Sequence, residues 1–362
     1  MNTNTHWTTI IVGAGQAGLA TGYHLARRGV DCVILDSSAQ VGDGWRRRWD
    51  SLRLFTPARH SALPGLPSPA PPDTYLGKDD VAEYLAAYAA RFALPVRTGV
   101  TVTELGRGTD GFTLTTTAGT LNAANVVVAT GANALPALPA VASELDPLTR
   151  QLHSDQYRGP DSVEPGSVLV VGAGTSGAEI ALELAASHRT YLAGRPTAHI
   201  PDAVFTLAGA AYWAFVNGML TLDTPMGQKV AVKFHRRGAP LIRISMKQVE
   251  AAGVTLLPRL TGVSGGVPVA GETAVPPPAT VIWATGYRPD LRWLPEVTRD
   301  EYGLPVTRRG VVESVPGLYF VGMPFQYALT SALIGGVGRD AAYVSDQIAA
   351  TVHPVPGPVR TA

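Results

Sequence analysis

One pattern constrains this chain more than any other: Gly-x-Gly-x-x-Gly occurs twice, each time between a β-branched apolar run and a helical stretch. The first copy follows Thr9–Val12 as Gly13-Ala14-Gly15-Gln16-Ala17-Gly18, with helical sequence from Ala17 to Ala26. The second follows Ser167–Val171 as Gly172-Ala173-Gly174-Thr175-Ser176-Gly177, with helical sequence from Ala178 to Ala186. Each glycine has a physical task. The first permits a tight turn out of a strand, the second lets backbone approach a pyrophosphate, and the third lets helix pack closely on sheet. Unpaired N–H groups and the helix dipole then favour phosphate at the helix start.

The two units differ at the far end of their second strands. Cys32–Leu35 ends in Asp36, whose carboxylate can accept hydrogen bonds from a ribose diol. Arg189–Ala193 ends in Gly194-Arg195, and an arginine there suits a 2′-phosphate. Asp36 follows Gly13 by 23 positions, and Arg195 follows Gly172 by the same 23. The fold class expected is therefore α/β, with two Rossmann-like dinucleotide-binding domains.

A chain of 362 residues can build two such cores. Its net charge of +1 gives no electrostatic case for a nucleic-acid partner. Cys32 is the only cysteine, which excludes a disulfide framework, a redox pair and a cysteine-based metal site. The eight histidines lack ligand spacing, so no metal is expected. The first strand begins soon after Met1 without a basic and apolar leader, so a cytoplasmic protein is expected.

Between the fingerprints, Gly42, Gly44 and Trp45 stand beside Arg46, Arg47 and Arg48, a loop suited to folding over a flat, anionic ligand. Pro64–Pro72 reads as an extended surface crossing, and Asp79 or Asp80 as the cap of a helix reaching Arg91. Strand-like runs follow at Val96–Leu105, Phe112–Thr117 and Asn125–Ala129. Two strands end in Ala-Thr-Gly, at Ala129-Thr130-Gly131 and at Ala284-Thr285-Gly286, where small residues allow close approach to a cofactor or to the neighbouring domain. Phe205–Leu220, apolar and aromatic, is shorter than a bilayer span. It reads as a helix buried between domains, with a substrate channel or membrane-leaning patch as alternatives. Segment 258–279 reads as hairpin and loop. Near the end, Leu318–Gly322 is a buried strand leading past Gln326, Ser331 and Ala332 to a helix from about Arg339 to Ala350. That arrangement brings backbone amides back to the first site. The tail from His353 reads as frayed.

An acid-type site followed by an arginine-type site implies resident FAD and visiting NADPH, with hydride passing where the domains face each other. Gly42–Pro67, His153–Tyr157, both Ala-Thr-Gly turns and Phe320–Asp340 resemble the flavin-containing monooxygenase superfamily, most of all its compact bacterial CzcO-like flavoproteins. The resemblance covers essentially the whole chain. It implies FAD contacts at Gly13, Gly15, Gln16, Ala17, Gly18, Asp36, Gly44, Trp45 and Arg53. Thr130, Gly131, Gly322, Gln326, Ser331 and Ala332 complete that site. NADPH contacts are implied at Gly172, Gly174, Thr175, Ser176, Gly177, Arg195, Ala284, Thr285 and Gly286. Candidate catalytic residues are His153, Tyr157 and Arg53.

The implied reaction is reduction of FAD by NADPH, then oxygenation of a small-molecule nucleophile through a C4a-hydroperoxide formed with O2. The family fingerprint F-x-G-x-x-x-H-x-x-x-(F/Y/W) falls on Pro147–Tyr157, where Pro147 and Thr149 replace Phe and Gly. Leu52–Pro57 lacks the asparagine that many relatives hold near the flavin. Two alternatives stay open: a flavin reductase or oxidase without oxygen insertion, and a redox-sensing nucleotide-binding protein. The expected FAD domain is 1–155 plus 288–362, with an NADPH domain at 156–287.

Overall fold

A strand buried on both faces must be apolar along its whole length, and the chain supplies such runs in two groups. The computed structural model describes residues 5–108, 111–295 and 297–352. In its first part β1 (His6–Val12), α1 (Gln16–Arg27) and β2 (Cys32–Leu35) form the opening unit, followed by the short α2 (Asp43–Arg46) and by α3 (Lys78–Arg91). Strands β3 (Val96–Arg97), β4 (Val102–Gly108), β5 (Gly111–Thr116), β6 (Gly119–Val128) and β7 (Leu135–Pro136) come next. The second unit runs through β8 (Arg150–His153), β9 (Val168–Val171), α4 (Thr175–Leu184) and β10 (Thr190–Ala193). Helices α5 (Asp202–Met219), α6 (Pro225–Arg237) and α7 (Met246–Ala251) precede β11 (Thr255–Leu257), β12 (Leu260–Ser264), β13 (Val267–Ala270) and β14 (Thr273–Ala274). The chain closes with β15 (Thr280–Trp283), β16 (Tyr287–Arg288), β17 (Leu318–Phe320) and α8 (Ile334–Val352).

The first sheet has the order β3-β2-β1-β6-β5-β4, with β17 also parallel to β6. Ile11, Ile34 and Val127 face one side, packed under α1, α3 and α8. Ile10, Val33, Val126 and Phe320 face the other, beneath the β4–β5 hairpin. The second sheet, β11-β10-β9-β15-β8, is parallel throughout. It is likewise covered on both faces, by α4 and α7 on one side and by the β12–β14 meander with Val141 and Leu145 on the other. β7 and β16 pair as a short antiparallel strap between the two units.

Several expectations need correction. The Val96–Leu105 run is two strands, broken at Gly99, which takes a positive φ of 70°. Helix α3 begins at Lys78 behind Gly77, and Asp80 serves from its third position by accepting the Gly77 N–H at 2.8 Å. Helix α8 begins at Ile334, five residues before Arg339, and runs straight through Gly335, Gly336 and Gly338. β8 hydrogen-bonds into the second sheet, so residues 150–153 leave the first domain to which sequence assigned them. Helix α5 is not buried between domains: Trp213, Val216 and Leu220 point inward, while Leu207, Phe215 and Met219 are exposed. The tail from His353 lies outside the described residues.

Candidate dinucleotide cradles and the cavity beside them

The two glycine loops are built alike. Gly13 has φ +108°, and a Cβ there would sit 2.6 Å from the Ala129 carbonyl oxygen. Gly172 has φ +114°, and its Cβ would sit 2.3 Å from the Ala284 carbonyl oxygen. Any side chain at either position would break the turn against the Ala-Thr-Gly strand end. A Cβ on Gly18 or on Gly177 would fall 1.8 Å from the carbonyl oxygen of Gly13 or Gly172, so the third glycine sets how closely each helix seats. By contrast, Gly15 and Gly174 have nothing within 4 Å of a built Cβ. That open space lies at the N-caps of α1 and α4.

Neither cap is satisfied by a side chain, and neither first turn contains an acid. Helices α6 and α7 differ, being capped by the Thr224 and Ser245 hydroxyls. Thus α1 and α4 leave N–H donors free in front of an open cradle, as a pyrophosphate requires. Gln16, Ala17, Thr175 and Ser176 form the first turns of these helices. Beside the first cradle the Thr130 hydroxyl is buried with no partner, an orphaned polar group at the edge of the same space. These features fit a dinucleotide at each loop.

The ribose ends diverge. Asp36 Oδ2 accepts the Ala14 N–H at 2.6 Å and Oδ1 accepts the Ser38 N–H at 2.8 Å. The carboxylate is therefore pinned against the glycine loop. Arg195 is exposed and has no hydrogen-bond or ion-pair partner among the described residues. Nearby in sequence, the Thr197 hydroxyl and His199 Nε2 are buried without partners.

Other sequence candidates separate into those at the cradle and those that hold it together. Gln16 Nε2 donates to the Ala332 carbonyl at 3.1 Å, tying α1 to the segment before α8. Gly322 packs on Ala17, 2.8 Å from its Cβ if a side chain were built there. Gly44 and half-buried Trp45 lie in α2, and Trp45 packs against both the α1–α3 core and the second unit's core. The three arginines beside it are committed to protein partners rather than held ready for phosphate. Arg46 bonds Asp43 and the Val41 carbonyl, Arg47 bonds Ser38, and Arg48 bonds Asp155 and the Tyr287 hydroxyl. Ser331 Oγ accepts the N–H groups of Tyr327 and Ala328, and Gln326 Oε1 faces the Met323 N–H at 3.3 Å. Both side chains shape the turn. Arg53 lies 3.7 Å from Asp80 and is half exposed.

His153 and Tyr157 belong to the crossing between the units. His153 Nδ1 accepts the Asp155 N–H at 3.1 Å, which leaves Nε2–H to donate to the Gly286 carbonyl at 2.9 Å. Burial lowers its pKa, so the imidazole is neutral. The Tyr157 hydroxyl donates to Glu183 Oε2 at 2.7 Å, and burial beside that carboxylate raises its pKa. Thr285 Oγ1 donates to the Ala137 carbonyl at 2.7 Å, in the same seam. Both ring nitrogens of His153 are engaged, Nε2 on the Ala-Thr-Gly turn and Nδ1 on its own loop.

A cavity of about 130 Å³ opens between segment 56–62, α5 and the start of α8. Thr56, His60, Trp213, Asn217, Thr330 and Leu333 line it. The Thr330 hydroxyl donates to Asn217 Oδ1 at 2.8 Å, and the His60 and Trp213 rings lie 5.3 Å apart. Trp213 Nε1 is buried without a partner, and burial holds His60 below its usual pKa. The Phe205–Leu220 stretch, for which a substrate channel is one alternative, supplies Trp213 and Asn217, while His60 has no part in that reading. Nothing local marks His60, which meets them only when α5 folds over segment 56–62.

Two such cradles, one on a mixed sheet and one on a parallel sheet, fit a flavin-dependent oxidoreductase, and comparison with known proteins shows one. Residues 10–199 match the family described as pyridine nucleotide-disulphide oxidoreductase, which binds FAD and NAD(P). A Geobacillus kaustophilus protein named as an uncharacterized CzcO-like oxidoreductase is 38% identical over 94% of this chain and 97% of its own length. Rice indole-3-pyruvate monooxygenase YUCCA1 is 37% identical over 48% of this chain and 44% of its own. The structure of a flavin-containing monooxygenase from Stenotrophomonas maltophilia matches with a TM-score of 0.78 at 27% identity, covering 96% of this chain and 99% of that one. The chain belongs to the CzcO-like oxidoreductases of the flavin-containing monooxygenase and pyridine nucleotide-disulphide oxidoreductase superfamily.

Proposed function

We propose that this chain is an NADPH-dependent FAD monooxygenase that places one oxygen atom on a small-molecule nucleophile at nitrogen, sulfur or activated carbon. The observation that carries the reading is the pair of matched cradles with opposite ribose ends. In this reading FAD lies along Gly13, Gly15 and Gly18 with its ribose at Asp36, and NADPH lies along Gly172, Gly174 and Gly177 with its 2′-phosphate on Arg195. The FAD unit comprises 1–155 and 288–362 apart from strand β8, and the NADPH unit 156–287.

Bound FAD supplies hydride acceptance and oxygen activation; the protein supplies position and a dry space. The α1 and α4 N–H groups hold the two pyrophosphates, and the cavity beside α8 receives the acceptor. Cys32 is buried in β2 with its thiol pushed up to about 12, so thiol chemistry plays no part despite the family's description. Similarity to the Stenotrophomonas monooxygenase over nearly the whole chain supports the oxygenating reading. A second reading, NADPH-driven reduction without oxygen insertion, draws on the absence of asparagine in Leu52–Pro57.

Anaerobic reduction with NADPH, followed by mixing with oxygenated buffer in a stopped-flow spectrometer, separates them. A delayed return to oxidised flavin, with less peroxide released when a nucleophile is present, supports oxygenation. Immediate reoxidation with stoichiometric peroxide, unchanged by any nucleophile tried, selects the reductase reading.

A further inference from the structure

Residues 203–222 contain no charged residue, yet α5, which kinks at Ala208, and the turn after it leave a broad apolar surface exposed to solvent. Leu207 is 85% exposed, and Phe215, Met219 and Leu222 follow at 42%, 46% and 36%. Ala211, Ala214 and Gly218 fill the same exposed surface. The apolar band continues past the exposed Asp223, whose Oδ2 accepts from the Tyr327 hydroxyl at 2.8 Å, to Met226 at the start of α6 and to Val232, each 46% exposed. On α6 the remaining exposed positions include Lys229, Lys233, Arg236 and Arg237, and no acid occurs between residues 224 and 240. Arg236 lies 3.9 Å from Glu301, while Lys229, Lys233 and Arg237 have no ion-pair partner among the described residues. The inward sides of α5 and α6 are fastened to each other and to the C-terminal segment through Trp213, Val216, Val230 and Leu329. The band is therefore held outward by packing on its opposite side.

We propose that the α5–α6 pair is a docking surface for an anionic lipid bilayer. Exposed apolar side chains of this extent are unusual on a soluble surface and mark interaction sites. An apolar face continuous with unpaired cations complements a bilayer interface, where acyl chains lie beneath anionic headgroups. No helix among the described residues is long and apolar enough to cross a membrane, so the pair lies on the surface rather than spanning it. The same helix lines the cavity with Trp213 and Asn217 on the side opposite the docking face. The proposal stands apart from the reaction assigned above, because lipid binding is read without turnover.

The test is flotation of the full chain with vesicles of phosphatidylcholine alone and of phosphatidylcholine mixed with phosphatidylglycerol. Binding is expected only to the mixed vesicles, weakening as salt is raised. Phe215→Asp with Met219→Asp, and separately Lys229→Glu with Lys233→Glu, are each expected to weaken it about tenfold or more. The far-ultraviolet circular dichroism and thermal melt stay unchanged in both variants, which shows that they are folded. Absence of binding to mixed vesicles, or binding unaltered by either double variant, overturns the proposal. So does a concentration-dependent dimer that Phe215→Asp with Met219→Asp dissociates, since a second copy would then cover the face.

Discussion

Offset by 159 positions, the unit from Gly13 to Asp36 and the unit from Gly172 to Arg195 repeat each other, and where they part is instructive. The glycine contacts match to within a few tenths of an ångström, because both loops solve one steric problem. The ends answer different questions. Asp36 is bonded into its own loop by two backbone N–H groups, so the first cradle is rigid before any ligand arrives. Arg195 is exposed and has no hydrogen-bond or ion-pair partner among the described residues, so the corresponding end of the second cradle is open to solvent. A resident group and a visiting one call for that contrast.

The sharpest way to break this comparison is a methyl group at the third glycine. Gly18→Ala puts a Cβ onto the Gly13 carbonyl and is expected to yield protein without bound flavin, read from its visible spectrum. Gly177→Ala creates the same clash against Gly172 and is expected to keep the flavin while losing NADPH oxidation. Equal flavin loss in both variants would remove the assignment of one cofactor to each cradle.

Arg195→Ala comes next. Losing a charge-assisted contact should raise KM for NADPH about 10- to 100-fold and leave KM for NADH nearly unchanged, measured by steady-state oxidation. A parallel rise for both nucleotides would place the 2′-phosphate elsewhere.

A third difference lies at matched helix positions, Ala20 on α1 and Glu179 on α4. Ala20 is fully buried, whereas Glu179 is part-buried with its Oε1 sealed from solvent 3.7 Å from Arg243, whose side chain also donates to the Leu54 carbonyl. Burial raises the Glu179 carboxyl from 4.5 to about 7, with Arg243 opposing the shift. A carboxyl raised on folding binds more protons in the native state, so stability falls as pH climbs from about 4.5 to about 7 and is level above. That slope amounts to about 3 kcal/mol at most. Glu179→Gln should flatten it in a series of thermal melts; an unchanged slope would show that Glu179 does not titrate there. The smallest effect is expected at Cys32, where alkylating reagents should leave native activity intact and label the thiol only after unfolding.

The cradles were legible in the sequence because their determinants are local: glycine spacing, an apolar strand and a terminal residue, all within one unit. What escaped reading depends on contacts far along the chain. Gly335, Gly336 and Gly338 argue locally against a helix start, yet α8 runs through them. The reason is close approach: a Cβ on Gly335 would meet the His60 carbonyl at 1.9 Å, and one on Gly338 would meet Pro64 at 2.4 Å. Helix α5 failed differently. Its composition says buried, and only its packing shows that one face alone is covered. Arg46, Arg47 and Arg48 advertised phosphate through charge, but their neighbours Asp43, Ser38 and Asp155 were already there to claim them.

The placement of β17 carries a consequence for synthesis. This strand, Leu318–Phe320, hydrogen-bonds beside β6 in the sheet that β1 opens, and α8 follows it over that sheet. Every strand of the second sheet lies between residues 150 and 283. A chain emerging from the ribosome therefore finishes the sheet it began second before it can finish the one it began first. The first cradle stays open on one side until residues 318–352 have emerged, after every strand of the second sheet is already available.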